Sequence, residues 1–233
     1  MSLRISEAAL TKLIDKLKYY IDEAKVVGLG TGRTVTAIIN YLVKSNLLSN
    51  KLVTASSIDT TLKLSRLGIN VIYPISVNEL DLYIDSADEV DPNWNMIKGG
   101  GAALTMEKIL TTYSRRRLFV VTKDKLVDRL CSKHYIPLDV IPESLSMVCN
   151  YLRNKGFEVI IREGSGKRGP VRSDFGGVII DVKPPSELLS DLKKLDQTLT
   201  LIPGVISSGL FIDLVDVGYV IDGDEVIEYV RKS

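Results

Sequence analysis

Apolar residues recur at helical spacing from the start of the chain: Leu10, Leu13, Ile14, Leu17 and Ile21 fall three and four positions apart. That period predicts an amphipathic helix over 6–24 with one buried stripe. The short apolar run at 25–29 reads as a buried strand, and Val35, Ile38, Ile39 and Leu42 mark a second helix over 34–43. The alternation continues. Strands are expected at 51–56, 70–74, 81–85 and 118–122, with helices at 58–67, closed by Gly68, and at 102–113. Strands and helices alternating at this spacing predict an α/β fold, a parallel sheet with helices on its faces.

The rhythm changes after residue 130. A strand at 136–141, a helix at 144–154, strands at 157–162 and 177–182, a helix at 187–195 and a strand at 209–213 follow one another. This β-α-β-β-α-β order is the split βαβ pattern of ferredoxin-like α+β domains. It predicts a smaller domain over 131–211, with 1–130 and 212–233 forming the first domain. The tail, 217–221 and 225–230, reads as a hairpin across Asp222, Gly223 and Asp224.

Composition narrows the function classes. The 233 residues are 45% hydrophobic, enough for one large core or two modest ones. A formal net charge of +1 gives no global attraction to nucleic acid or to an anionic membrane. No apolar run approaches the roughly 20 residues that span a bilayer, and the stretch from Met1 to Glu7 lacks an apolar signal core, so a cytoplasmic location is expected. The two cysteines, Cys131 and Cys149, form no Cys-x-x-Cys pair and are expected to be buried, inert thiols. With His134 the single histidine and no Gly-x-Ser-x-Gly elbow, a Ser-His-Asp triad has no support, and His134 is expected to be structural or solvent-facing.

Four segments carry candidate chemistry. Gly28-Leu-Gly-Thr-Gly-Arg-Thr34 joins a strand to a helix, where glycines and free N–H groups suit an anion. It is not the dinucleotide fingerprint: Arg33 stands where glycine is required, and the next strand ends in Ala55-Ser56-Ser57 without an acid. A small phosphate or polyol beside Thr31, Thr34, Ser57, Thr60 and Thr61 fits the segment, as does a plain capped turn. Asp85-Ser-Ala-Asp-Glu-Val-Asp91 follows a strand, so Asp85 and Asp88 can meet sugar hydroxyls at a sheet's carboxyl edge; a magnesium site or a capped turn competes with that reading. Lys98-Gly-Gly-Gly-Ala-Ala-Leu-Thr-Met-Glu107 puts a fixed cation beside three entropically costly glycines, then a carboxylate on a helix. A carboxylate base next to a lysine that stabilises a developing oxyanion is the chemistry this offers, against the plain alternative of a surface glutamate. Lys125, after a strand, is either a phosphate ligand or an exposed turn lysine. Arg115 to Arg117 are expected as a solvated cap at a helix end. Gly164-Ser-Gly-Lys167 fails as a P-loop, because Ile161 and Arg168 occupy positions that need glycine and Ser or Thr; it is expected to be a hairpin loop.

Taken in order, Gly28 to Gly32, Asp85 to Glu89, Lys98 to Lys108, Ile202-Pro-Gly-Val205 and Gly209-Leu-Phe211 resemble the ribose-5-phosphate isomerase A family. The resemblance implies a Rossmann-like parallel-sheet domain carrying a ferredoxin-like one. It implies interconversion of D-ribose 5-phosphate and D-ribulose 5-phosphate through an enediolate, with no cofactor and no metal. Glu107 matches the base, Asp85 the acid that assists ring opening, and Asp88 and Lys98 the groups at the reacting oxygens. Ser86, Ala87, Gly99, Gly100 and Gly101 match the substrate lining, and Thr31, Gly32, Arg33, Thr34 and Lys125 match contacts with substrate and phosphate. A homodimer or homotetramer with neither nucleic-acid nor membrane partner is implied too. The chain departs from the family at Ser86 and Arg33, where glycine and serine are usual, and at Ser173-Asp-Phe-Gly-Gly177, where Thr-Asp-Asn-Gly-Asn is usual; the last change is expected to touch only the small domain. The second reading is a sugar-phosphate-sensing module without catalysis, which an intact Lys98 and Glu107 disfavour.

Overall fold

The computed structural model describes residues 5–166 and 168–230, so Lys167 of the Gly164–Lys167 loop and most of the Met1–Glu7 stretch lie outside the described residues. The chain runs through α1 (Glu7–Glu23), β1 (Val26–Leu29), α2 (Arg33–Lys44), β2 (Leu52–Ala55), α3 (Ile58–Arg66) and β3 (Leu80–Asp85). It continues with β4 (Glu89–Val90), β5 (Met96–Ile97), α4 (Leu104–Thr112) and β6 (Ser114–Thr122). Next come β7 (Ile136–Val140), α5 (Leu145–Asn154), β8 (Glu158–Ile161), β9 (Val178–Lys183) and α6 (Leu192–Thr200). The last strands are β10 (Val205–Ser208), β11 (Leu210–Phe211), β12 (Val217–Asp222) and β13 (Glu225–Val230). Two compact units result: one holds the chain up to Ala87, Ile109–Leu126 and the residues from Leu214, and the other holds Asp88–Lys108 and Val127–Asp213.

The first unit is built on a six-stranded sheet in the order β13-β12-β6-β3-β1-β2. Every neighbouring pair is parallel except the β12–β13 hairpin. The chain steps outward from β1 to β2 and then returns to β3 on the other side of β1. That reversal is a topological switch point, and the loops after β1 and β3 open there at the carboxyl edge. The helical stripes read from the sequence are the buried faces: Leu13, Leu17 and Ile21 on α1, and Val35, Ile38, Ile39 and Leu42 on α2, are all at most 1% exposed. Each such side chain stabilises the fold by about 1.5–3 kcal/mol.

The second unit has a four-stranded antiparallel sheet in the order β10-β7-β9-β8. The split βαβ connection requires this order, since β7 and β8 lie parallel with β9 between them. Val148, Cys149 and Leu152 of α5 and Leu195 and Leu199 of α6 cover one face, against Ile136, Leu138, Val140, Ile180 and Val182. A small sheet, β11-β5-β4, belongs to the same unit. Pairing of β5 with both β4 and β11 draws 88–108 into the second unit, a grouping different from a boundary at 131.

Four expectations about elements differ from the structure. Residues 70–74 make one bridge, Val53 to Val71, before a 3-10 turn at Pro74–Ser76; proline supplies no ladder donor. Arg115 to Arg117 do not cap a helix but lie in β6, where Arg115 pairs with Glu79 and Arg117 with Asp216. The helix expected at 187–195 begins instead at Leu192, because the Asp191 side chain caps it by accepting from the Lys194 N–H at 2.9 Å. The fourth strand of the small sheet is β10, while Leu210 and Phe211, expected to form it, pair with β5. Among the described residues no helix is long and apolar enough to cross a membrane.

Candidate active site

In the second unit, Lys98 follows β5 and Glu107 sits near the start of α4. The Lys98 backbone N–H donates to the Gly209 carbonyl at 2.9 Å, which fixes the root of the lysine. Its Nζ lies 3.3 Å from Glu107 Oε2, and the two side chains are only 3% and 5% exposed. The Phe211 ring meets two cations, with Lys98 Nζ 5.5 Å and Lys108 Nζ 5.4 Å from its centroid. Burying an ion pair costs several kcal/mol of desolvation per charge before the mutual attraction offsets it. A pair retained in this setting is suited to chemistry: a carboxylate that takes a proton and an ammonium that holds negative charge on oxygen.

The glycine run lies beside this pair in sequence. Gly99 is buried and in the left-handed region (φ 108°), while Gly100 and Gly101 are exposed. The Gly100 N–H donates to Asp88 Oδ2 at 2.8 Å. A cleft of about 260 Å³ in the second unit is bounded by Asp88, Gly100, Lys133, His134, Arg162 and Asp181. His134 is exposed on its wall, as expected for a solvent-facing histidine.

The acids of 85–91 have four separate tasks. In the first unit, Asp85 is fully buried, accepting from Tyr83 Oη and from the Ser86 N–H, each at 2.7 Å. In the second unit, Asp88 meets Gly100. Glu89 accepts the backbone N–H groups of Cys131 at 2.8 Å, His134 at 2.7 Å and Lys133, pinning that loop. Asp91 accepts the N–H groups of Asn93 and Asn95 at 2.9 and 2.8 Å. Among the described residues no three His, Cys, Asp or Glu side chains are placed to hold a metal ion.

The hydroxyls of the first unit engage one another. Thr31 Oγ1 donates to Ser57 Oγ at 2.7 Å and lies 2.8 Å from Ser56 Oγ, and Thr60 Oγ1 donates to the Gly30 carbonyl at 2.8 Å. Thr61 bonds back to the Ser57 carbonyl instead. Gly32 caps α2, and Arg33 and Thr34 form its first turn, with Arg33 exposed. A cation there opposes the helix dipole, whereas an anion at the free N–H groups would be favoured by both. Lys125 lies in the 3-10 turn Lys123–Lys125 after β6, and Ser86 and Ala87 follow β3, at the same carboxyl edge of the first unit's sheet.

Several residues escaped the sequence reading. Asp139, fully buried on β7, accepts from Thr105 Oγ1 of α4 at 2.6 Å, and its Oδ1 has no hydrogen-bond partner. A Cβ on Gly177 would lie 1.8 Å from that oxygen, so the Ser173–Gly177 departure reaches the helix that bears Glu107. The signal was an acid inside the apolar run 136–140. Arg162, which donates to the Gly99 and Gly100 carbonyls, had no signal in local pattern. Both cysteines are buried and free; burial and then Glu89 push the Cys131 thiol up to about 12, and burial pushes Cys149 up, so neither is a ready nucleophile.

Comparison with known proteins agrees with these features. Residues 52–225 match the family described as ribose 5-phosphate isomerase A (phosphoriboisomerase A). A ribose-5-phosphate isomerase A from Pyrococcus abyssi is 40% identical over 203 residues, covering 85% of this chain and 87% of the relative. One from Thermosynechococcus vestitus is 37% identical over 209 residues, covering 87% and 88%. A solved D-ribose-5-phosphate isomerase in complex with phospho-erythronic acid matches with a TM-score of 0.89 at 35% identity, covering 98% of this chain and 100% of that one.

Proposed function

Because the chain belongs to the ribose 5-phosphate isomerase A family and is an isomerase of that substrate class, we propose that Glu107 is the base that carries a proton between C2 and C1 of the open-chain sugar. The observation that carries the assignment is the 3.3 Å approach of Lys98 Nζ to Glu107 Oε2 in a setting almost closed to water. Loss of the C2 proton gives an enediolate, and the Lys98 ammonium stabilises the negative charge that develops on its oxygen. Asp88 and the backbone of Gly99, Gly100 and Gly101 hold the reacting oxygens. The proposed contacts of the first unit are Thr31, Gly32, Arg33 and Thr34 with phosphate, Ser86 and Ala87 with the sugar, and Lys125 with phosphate. Asp85, buried and held at both oxygens by the Tyr83 hydroxyl and the Ser86 N–H, is the proposed acid that assists ring opening.

The ligand named for the structural relative, a phosphorylated hydroxy acid, carries a carboxylate that resembles an enediolate in charge. It is a ready probe here. Glu107→Gln should lower turnover of ribose 5-phosphate by about 10²- to 10⁴-fold and abolish exchange of the C2 proton with solvent, while phospho-erythronic acid still binds. Turnover near that of the unaltered chain removes Glu107 from the role. The sensing alternative has no support among these relatives, which are named as isomerases. A homodimer or homotetramer in the cytoplasm, free of nucleic-acid partners and with its small domain drawn at 131–211, completes the proposal on the strength of the family resemblance.

A further inference from the structure

Arg162 leaves the end of β8 and turns back toward the glycine run of its own unit. Its Nε and Nη2 grip the two oxygens of Asp181 at 2.8 and 2.5 Å. Its Nη1 donates to the Gly99 carbonyl at 2.7 Å and to the Gly100 carbonyl at 3.2 Å. The side chain is 19% exposed. One guanidinium thus holds a carboxylate with one edge and two consecutive peptide oxygens with another, a fork that an ammonium does not match.

The consequence follows from peptide geometry. A trans peptide is planar, so its N–H points opposite to its C=O. Holding the Gly99 carbonyl aims the Gly100 N–H away from Arg162, and that N–H donates to Asp88 Oδ2 at 2.8 Å. Holding the Gly100 carbonyl orients the Gly101 N–H in the same manner. Three glycines in a row have no side chains to restrict them, so their rigidity comes from such contacts. The cleft walled by Arg162, Lys133 and His134 does not read as an anion site in its own right, since Asp181 already neutralises Arg162 and Asp88 stands in the same wall.

We propose that Arg162, locked by Asp181, is a positioning residue that acts through Asp88: by holding the Gly99–Gly100 peptide it aims the Gly100 N–H, and through it the carboxylate of Asp88, for the isomerisation. The inference rests on the functional reading above. Its test compares Arg162→Ala, Arg162→Lys, Asp88→Asn and the Asp88→Asn/Arg162→Ala double variant in an aldose-to-ketose assay, with thermal melting of each. Arg162→Ala should lower kcat by about 10²-fold, the usual consequence of small misplacements in a site, with a smaller change in KM. Added guanidinium at tens of millimolar should restore part of that loss. In the Asp88→Asn background the same substitution should lower kcat by less than about threefold, because the two act in series. Should Arg162→Ala fail to fold, Arg162→Lys keeps the charge and the stem, and its kcat should still fall by about tenfold. Normal kcat in folded Arg162→Lys, or an equal Arg162→Ala loss with and without Asp88, overturns the proposal. An unaltered chain that does not isomerise ribose 5-phosphate overturns the functional reading instead.

Discussion

Gly30 follows β1 and lies beside the carboxylate of Asp85. A Cβ built on Gly30 would lie 1.9 Å from Asp85 Cγ, and that side chain is tethered by the Tyr83 hydroxyl and the Ser86 N–H. Gly30→Ala therefore displaces a group that cannot swing aside freely. The expected outcome is a loss of about 1–3 kcal/mol in denaturant unfolding, the usual scale of overpacking, together with a raised KM from distortion of the turn into α2. A variant as stable and active as the parent would show that the loop relaxes around the methyl. The glycine was legible in the sequence as part of a strand-to-helix turn suited to an anion, but its packing reason was not. Close approach to a carboxylate 55 positions away is a tertiary fact, and the Arg162 contacts and the Asp139–Thr105 bond were hidden for the same cause. Lys98 and Glu107 were readable because both lie on one short segment whose glycine run disfavours a plain connector.

At the scale of elements, α4 is held by charge as well as by packing. Near its start Thr105 bonds to Asp139, and one turn on Lys108 reaches Asp196 at 3.1 Å and Ser208 Oγ at 3.2 Å. Burial pushes the Lys108 amine below its ordinary value, and Asp196 works against that shift. The helix that carries Glu107 is thereby tied to both α6 and β10. Asp196→Asn leaves Lys108 largely buried without its counter-charge. It should destabilise the chain by about 2 kcal/mol, less than for a fully buried pair because both partners keep some exposure, as read by chemical denaturation. It should also lower kcat more than it changes KM, since Glu107 occupies the adjacent helical position. Unchanged stability would mean that water satisfies Lys108 equally well. Periodicity located α4 to within two residues at each end, yet misplaced α6 by about five. The α6 segment 187–195 contains Leu188, Leu189, Leu192 and Leu195, which satisfy a helical pattern in more than one frame, and the choice is made by the Asp191 cap.

For the whole molecule, the change of rhythm near residue 130 was enough to read two sheets of different kinds, and β12 and β13 return to the first as the hairpin pattern implied. Less legible was the grouping of 88–108 with the second unit, because strands of two residues leave no periodic trace. The first unit also closes on a long-range ion pair that the arginine run did not reveal. Asp216, ahead of β12, accepts from the Arg117 backbone N–H at 2.8 Å and from its guanidinium at 3.0 and 2.5 Å. Burial raises the Asp216 carboxyl, but the Arg117 hydrogen bonds and charge outweigh it and hold the group below its ordinary value of 3.8. A carboxylate whose folded value lies below its unfolded one binds fewer protons in the native state, so its contribution is complete above the unfolded value and is lost as pH falls through the folded one. Asp216→Asn should accordingly cost about 2 kcal/mol at neutral pH, the scale of hydrogen bonds to a charged group. The gap between parent and variant should stay constant down to about pH 4 and narrow below it. Melting curves for both chains between pH 2.5 and pH 7, run at one ionic strength, measure this directly. A gap that widens in acid, or one already shrinking near pH 6, would assign the stabilisation to a group other than Asp216.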